Sequence, residues 1–364
     1  GTVATRLFSN PGTSMQTCGF ATARSADVRM ACRHAVGGGA ARSLSSPVAR
    51  KTRRTRGQSS GVRPSRAGGV QIVAAAAALK TCRRDLLVVG PGVLGSLVCQ
   101  RWLNLFPAAI VKGQTNTDAS HERLESIGVS PRLKTNSSPE TTFPFVVFSA
   151  PPSGSEDYAG EVKAALALWD RTGSFVFTSS TAVYAGADGE QCDELTAEFA
   201  LGENPRADRL LNAETAVLEA GGCVVRLSGL YHATRGAHMF FLKSPELKSG
   251  ADGLVNLVHY EDAASAVAAA LVAQLEGRTE GGEVFLATDG VPISRKDMVD
   301  VCLGSPKYEG AMPAFAADDT SVGKRMDNPK TRERLGWEPK HASFAEFVVA
   351  GASDSFSNKK ITFR

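Results

Sequence analysis

Residues 85–102, DLLVVGPGVLGSLVCQRW, constrain the fold more than any other stretch of the chain. Leu86, Leu87, Val88 and Val89 form a short, wholly apolar, β-prone run of the kind that is buried on both faces of a parallel sheet. Gly90, Gly92 and Gly95 follow at once, and Val93, Leu97, Val98 and Trp102 then recur at helical spacing. Strand, glycine turn and helix in that order give a GxGxxG physical meaning. Gly90 permits the tight turn, Gly92 lets a pyrophosphate approach bare backbone, and Gly95 lets the helix sit close on the sheet. The unpaired N–H groups of the new helix then face the phosphates. Gly90, Pro91, Gly92, Val93, Leu94 and Gly95 are therefore the expected cofactor loop. The alternative is a plain βα turn, which glycines also serve.

Charge divides the 364 residues into two parts. Residues 1–80 hold eleven Arg and two Lys against one acid, Asp27, a net +12; the whole chain carries +4, so residues 81–364 carry −8. An acidic body gives no strong nucleic-acid signal. The first 70 or so residues are rich in Arg, Ser, Ala and Gly and lack an apolar period, which is the composition of an organellar transit peptide. We expect a leader over residues 1–78, with the chloroplast stroma as destination and the mitochondrion as the alternative. A basic nucleic-acid-binding arm built on Lys51, Arg53, Arg54 and Arg56 ranks second. The seven cysteines show no CxxC and read as reduced thiols. The histidines outside the leader are spread too widely in sequence to suggest a metal cage, and no metal is expected. No run is apolar enough to span a bilayer.

Along the body, strands and helices alternate, so the expected class is α/β, a doubly wound parallel sheet (Rossmann) with a small C-terminal substrate lobe. The expected division is 79–230 for the nucleotide-binding core, 231–350 for an interleaved lobe with the last strands, and 351–364 for a tail. Residues 108–112, AAIVK, read as the second strand. No carboxylate follows it; the chain reads Lys112, Gly113, Gln114, Thr115, Asn116, Thr117. An acid there normally binds the ribose hydroxyls of NAD, and its absence removes repulsion of a 2′-phosphate. NADP(H) is thus favoured over NAD(H), with Lys112, Thr115, Asn116 and Thr117 as candidate contacts; alternatively Thr117 or Asp118 caps the next helix. Residues 142–150 read as a buried strand ending in Pro151 and Pro152, which places Ala150 and Pro151 on the wall of a nucleotide crevice. Residues 158–170 read as a helix and 174–184, SFVFTSSTAVY, as a strand running into hydroxyls.

The order GPGVLG, APP, FTSSTAVY resembles the extended and atypical short-chain dehydrogenase/reductases, the group of nucleotide-sugar epimerases and dehydratases. VVRLSGLY at 224–231, LVHYEDA at 257–263, EVFLATDG at 283–290 and NPKTRERLGWEP at 328–339 resemble that family's later segments. The likeness runs from residue 85 to about residue 350 and is specific to the superfamily, not to a substrate. It implies that Ser180 occupies the catalytic Ser/Thr position, with Ser179 beside the cofactor and Thr181 as a second hydroxyl, and that Tyr184 is structural. The family's YxxxK is missing: the chain reads NPRADRLLNAE over 204–214, with Arg206 and Leu210 at the Tyr and Lys positions. Arg stays protonated at neutral pH and cannot replace a phenol as a proton relay. The glycine spacing also differs by one residue from the GxxGxxG of typical extended members.

Residues 232–254 read as irregular, lid-like chain. Arg206, Arg235 and Asn256 are the expected substrate contacts, with His238 also polar enough to watch. Glu214 is expected on Arg206 or Arg209, or in solvent; Asp262 as a structural helix-start residue; residues 263–275 as a buried packing helix; and Trp337 as a C-terminal anchor. The resulting expectation is an NAD(P)-binding, epimerase/dehydratase- or reductase-like protein acting on an unknown small alcohol, carbonyl or nucleotide-sugar-like ligand, with homodimerisation as a further expectation. The rival is a non-catalytic nucleotide-binding scaffold or assembly factor of the plastid.

Overall fold

The computed structural model describes residues 83–136 and 141–356. The expected leader, its basic run, His34, Cys18, Cys32 and Cys82 lie outside the described residues. Nine strands organise the rest: β1 Leu86–Val89, β2 Val111–Thr115, β3 Ser130–Leu133, β4 Phe143–Phe148, β5 Trp169–Ser180, β6 Cys223–Leu227, β7 Gly229–Tyr231, β8 Leu257–His259 and β9 Val284–Ala287. Seven form one wholly parallel sheet in the order β9-β6-β5-β4-β1-β2-β3, while β7 and β8 pair with each other beside it. The chain runs outward from β1 to β3 and then returns to β4 on the other side of β1. That reversal opens a crevice at the carboxyl ends of β1 and β4.

Alternation along each strand builds two cores. Leu86, Val88, Phe145 and Val147 face the layer that contains α1 (Val93–Leu105), whereas Leu87, Val146 and Phe148 face the layer that contains α3 (Tyr158–Leu166) and α4 (Pro205–Glu219). The short helix α2 (His121–Ser126) connects β2 to β3. α6 (Tyr260–Leu275) packs against α1, as the Ala/Val-rich sequence predicts, with Ala263, Ala266, Ala270 and Ala273 buried. A smaller lobe gathers α5 (Ala237–Lys243), α7 (Arg295–Leu303) and α9 (Phe344–Val349) around Tyr231, Phe344 and Phe347. α8 (Pro329–Leu335) stops at Gly336, φ +58°, and Trp337 beyond it is buried with its indole N–H on Ser265 Oγ at 2.7 Å. Cys99, Cys192, Cys223 and Cys302 are buried free thiols. Among the described residues no helix is long and apolar enough to cross a membrane.

Four boundaries differ from the sequence expectation. β2 starts at Val111 rather than at residue 108, because Ile110 N–H donates to Asp85 Oδ1 (3.0 Å) and leaves 108–110 outside the ladder. Lys112 therefore lies within the strand, not at its end. α3 ends at Leu166, and Trp169 opens β5 opposite Phe143 instead of closing the helix. β5 ends at Ser180, whose hydroxyl accepts the Ala182 N–H and starts a 3-10 turn over Thr181–Val183. Residues 232–254 contain α5 rather than irregular chain alone.

His238 of α5 is completely buried, with ring contacts to Tyr308 and Phe344 at 5.4 and 5.1 Å, and that burial pushes its pKa down from 6.5 to about 4. The unfolded chain takes up this proton near pH 6.5 and the folded chain only near pH 4. The associated stability is therefore complete above pH 6.5 and is lost as pH falls towards 4, by roughly 3 kcal/mol. His238→Phe should lose about 2–3 kcal/mol less than the parent between pH 7.5 and 4.5 in urea unfolding. Equal losses in the two proteins would contradict this origin.

Candidate functional site

The glycine turn is built by contacts that tolerate no side chain. Gly90 has φ +79°, and a Cβ on it would stand 2.5 Å from the Ala150 backbone. A Cβ on Gly95 would lie 2.7 Å from Ser149 Oγ and 2.8 Å from the Gly90 carbonyl. At Gly92 it would meet nothing within 4 Å, so bare backbone faces open space there. Gly90 and Gly95 thus allow close approaches that a side chain would block, and Gly92 leaves its backbone open. Gly92 is the N-cap of α1 and no side chain caps it, so the first N–H groups of the helix remain available to a ligand.

Hydrogen bonds fix the turn from three sides. Gly90 N–H donates to Gln114 O (3.0 Å), Ser149 Oγ–H donates to Gly90 O (2.9 Å), and Ser96 Oγ–H donates to Pro91 O (2.9 Å). Arg123 of α2 donates to Pro91 O (2.9 Å) and Ser96 Oγ (2.8 Å), bringing a half-buried cation beside the turn. Sequence reading missed Arg123 and Ser149. The local signals were an Arg one turn into the helix after β2 and a Ser directly before Ala150.

A cavity of about 1470 Å³ opens above this turn along the carboxyl ends of β2, β1, β4, β5 and β6. It takes in Gly90, Pro91, Gly92, Val93, Leu94, Gly95, Thr115, Asn116, Ala150, Pro151, Ser179, Ser180, Arg206 and Arg235, all singled out from the sequence. Leu210 also lines it, so both residues expected from the sequence at the YxxxK positions face the same space as Ser180. Drug-sized ligands occupy cavities of about 300–1,000 Å³, so this one has room for a dinucleotide and a second molecule.

Other expected contacts lie elsewhere. Thr117 is exposed outside the cavity, because β2 continues to Thr115 and the turn after it carries Ala119 and Ser120 inward instead. Neither Thr117 nor Asp118 caps α2 with its side chain; Ser120 holds the N-cap position. Thr181 is turned into the 3-10 segment and does not line the cavity. Asn256 joins two chain segments, donating to Lys324 O and accepting the Met326 N–H at 2.8 Å each, and is structural. His238 is sealed in the lobe core.

Ser179, Glu214 and Arg226 form a buried network under the cavity floor. Ser179 donates to Glu214 Oε1 (2.5 Å), and Arg226 donates to Glu214 (2.6 and 3.2 Å) and to Glu198 (2.5 Å). Glu214 therefore pairs with Arg226, not with Arg206 or Arg209 and not with solvent. Burial alone would lower the Arg226 pKa; its bonds to Glu214 outweigh that and raise it. Tyr184 lies flat beneath this guanidinium at 4.7 Å, a structural position.

The fold brings together histidines that sequence spacing separates. His259, Glu261 and His341 have ligand atoms within 4.8 Å of one another. Their donors are already engaged. His259 Nδ1 accepts the Glu261 N–H (3.2 Å), its Nε2 meets Asp354 (3.0 Å), and Lys340 Nζ sits 3.0 Å from Glu261 Oε2. An ammonium group at that carboxylate makes the cluster a latch rather than a cation cage. Asp262 is structural as expected, but it receives the N–H groups of Lys340 and His341 (2.8 and 3.0 Å), while the His259 side chain caps α6.

No family model matches the sequence, and no curated protein does. Solved structures match its fold. A functionally unknown conserved protein from Silicibacter pomeroyi superimposes with TM-score 0.57 at 22% identity, over 74% of this chain and 99% of that one. UDP-N-acetylglucosamine 4-epimerase from Bacillus cereus gives 0.57 at 15% identity, over 74% and 99%. UDP-glucose-4-epimerase from Stenotrophomonas maltophila, solved with bound NAD and formylated UDP-arabinopyranose, gives 0.56 at 18% identity, over 73% and 96%. The chain has the fold of the NAD-dependent epimerase/dehydratase structures.

Gly90→Ala should destabilise the protein by about 1–3 kcal/mol in urea unfolding, from positive φ and the Ala150 contact. Gly92→Ala should stay within about 1 kcal/mol of the parent, since its methyl group enters open space. Equal effects would contradict the distinct roles of the two glycines.

Proposed function

We propose that the protein is a nicotinamide-dinucleotide-dependent oxidoreductase or epimerase-like enzyme acting on a small alcohol or carbonyl ligand, with NADP(H) as the preferred cofactor. The observation that carries this reading is the bare Gly92 backbone at the uncapped start of α1, facing a cavity large enough for two ligands. The pyrophosphate would lie on Gly90–Gly95, the adenosine end towards Thr115 and Asn116, and the nicotinamide towards Ser179, Ser180 and Leu227. The bound cofactor supplies hydride transfer. The chain's own residues do the rest: Ala150 and Pro151 wall the ribose, and Ser180 orients a substrate oxygen.

Preference for the 2′-phosphate rests on the charge at the adenosine end. β2 ends without a carboxylate, Gln114 stands buried there as an amide that accepts from Arg132 (2.9 and 2.6 Å), and Arg123 adds a cation on the same wall. By the resemblance Arg206 and Leu210 stand where the family has its Tyr and Lys, so the proton step would run without the Tyr–Lys pair. That substitution also favours a second reading, a nucleotide-binding scaffold that retains the site without turnover. Plastid import is part of our proposal and is supported by the composition of residues 1–78.

Titration of the protein lacking residues 1–78 with NADPH and NADH, followed by calorimetry, tests the nucleotide reading. NADPH should bind more tightly than NADH, and Gly92→Val should weaken NADPH by about 100-fold or more by occupying the phosphate position. Failure of both nucleotides to bind at millimolar concentration would refute the site, and tighter NADH binding would refute the cofactor preference.

A further inference from the structure

The charged groups lining the cavity fall into two sets. Near β2 stand Arg123 and Lys134; near β5 and β6 stand Arg206 and Arg209 of α4 and Arg235 after β7. Glu161 is the one carboxylate among the lining residues, and it is paired with Lys134 at 3.3 Å. The second set therefore has no lining acid to neutralise it, although residues 81–364 carry a net −8. Its positive charge is local to the cavity and not part of a generally basic surface.

The set lines the β5 and β6 side of the cavity, whereas the glycine turn is wedged between β2 and β4 and the adenosine end of a dinucleotide would lie towards β2.

The three arginines differ in what they already hold. Arg209 donates to Pro152 O (2.6 Å) and to Ser155 O, stapling the loop after β4. Arg235 lies beside the Tyr260 side chain at the cavity wall, its positive charge acting against the rise that burial causes in the Tyr260 pKa. The Arg206 side chain makes no hydrogen bond or ion pair among the described residues, while its own backbone N–H is fixed by Asn204 Oδ1 (3.1 Å) at the start of α4. A guanidinium offers five N–H donors and no acceptor, and its fork matches carboxylate or phosphate oxygens in pairs.

We propose that the far end of the cavity is an oxyanion subsite, in which Arg206, assisted by Arg235, binds a carboxylate or phosphate group of the substrate. The assignment rests on the dinucleotide reading for the other half of the cavity. It makes the second ligand a small anionic molecule: the position that carries a titratable phenol in the resembled family carries a permanent cation here. Binding to Arg206, on the first turn of α4, would bring the rest of such a ligand against Ser180, because α4 packs on the 3-10 turn that Ser180 initiates.

The test titrates the NADPH-saturated protein with oxalate and, separately, with inorganic phosphate, at constant ionic strength. At least one anion should bind with Kd of about 1 mM or below. Arg206→Gln should weaken that anion about tenfold or more, and Arg235→Gln should weaken it by a smaller factor. Preference for oxalate identifies a carboxylate substrate, and preference for phosphate a phosphate ester. The NADPH affinity of each variant should equal the parent's, which reports an intact fold and an undisturbed nucleotide half. Absence of binding by both anions, or equal anion affinity in parent and Arg206→Gln, overturns the subsite. If the parent binds no NADPH, the nucleotide reading fails separately, and the same anion titrations on the unliganded protein still decide the subsite through their dependence on Arg206.

Discussion

The end of β1 touches the end of β4 more closely than any residue with a side chain permits, and the rest of the site follows from that contact. Gly90 rests on the Ala150 backbone, Gly95 rests on Ser149 and on the turn itself, and Ser149 donates back to Gly90 O. With α1 held this close, its N-terminus points along the crevice that the sheet reversal opens between β1 and β4. A Cβ at either position would push the helix away from the sheet and tilt its free N–H groups off the cavity. Gly113 extends the same logic to β2, where a Cβ would stand 3.1 Å from Pro91. The turn is thus wedged between β2 and β4, and Arg123 ties it to the helix after β2.

The opposite half of the cavity depends on a buried charge. Arg226 is 1% exposed on β6, an interior strand, and its bonds to Glu214 and Glu198, with the Tyr184 ring against it, offset the loss of solvent. Glu214 arrives from α4, and Ser179 of β5 uses the same carboxylate. One guanidinium therefore fixes the position of α4 against two adjacent strands. Since α4 carries Arg206 at its start and β5 ends in Ser180, the network sets the spacing between the free cation and the candidate catalytic hydroxyl. Such a pair adds geometric definition more than net stability, because its desolvation cost is of the same order as its attraction.

The parts legible in the sequence were those encoded by neighbours. The wholly apolar LLVV run marked a strand buried on both faces, the glycine spacing located the turn, and the Ala/Val-rich stretch after residue 262 marked the packing helix α6. What escaped was encoded across distance. The Glu214 partner lies 12 residues away on a strand, Asn256 bonds residues about 70 positions later, and Asp354 reaches back 95 residues to His259. No local pattern distinguishes these polar side chains from solvated ones. The β2 boundary failed for a related reason: Asp85, 25 residues upstream, competes for the Ile110 amide and delays the strand.

That long-range Asp354 contact ties the C-terminal segment to the cavity wall. His259 Nδ1 accepts the Glu261 N–H, so the ring proton resides on Nε2 and is donated to Asp354 Oδ1 at 3.0 Å. The same carboxylate accepts the Ala233 N–H at 3.1 Å and approaches His232, at the base of the loop that carries Arg235. Burial alone would raise the Asp354 pKa, but these donors hold it well below the usual carboxylate range. Glu261 acts in parallel, accepting from Ser355 and Lys340. Residues 340 and 354–355 are therefore fastened to the start of α6, where Tyr260 faces the cavity beside Arg235. The loop that carries Arg235 is thus held at its base by Asp354, 121 residues beyond Ala233, which is why the lobe and the sheet have to fold together for the cavity to have two ends.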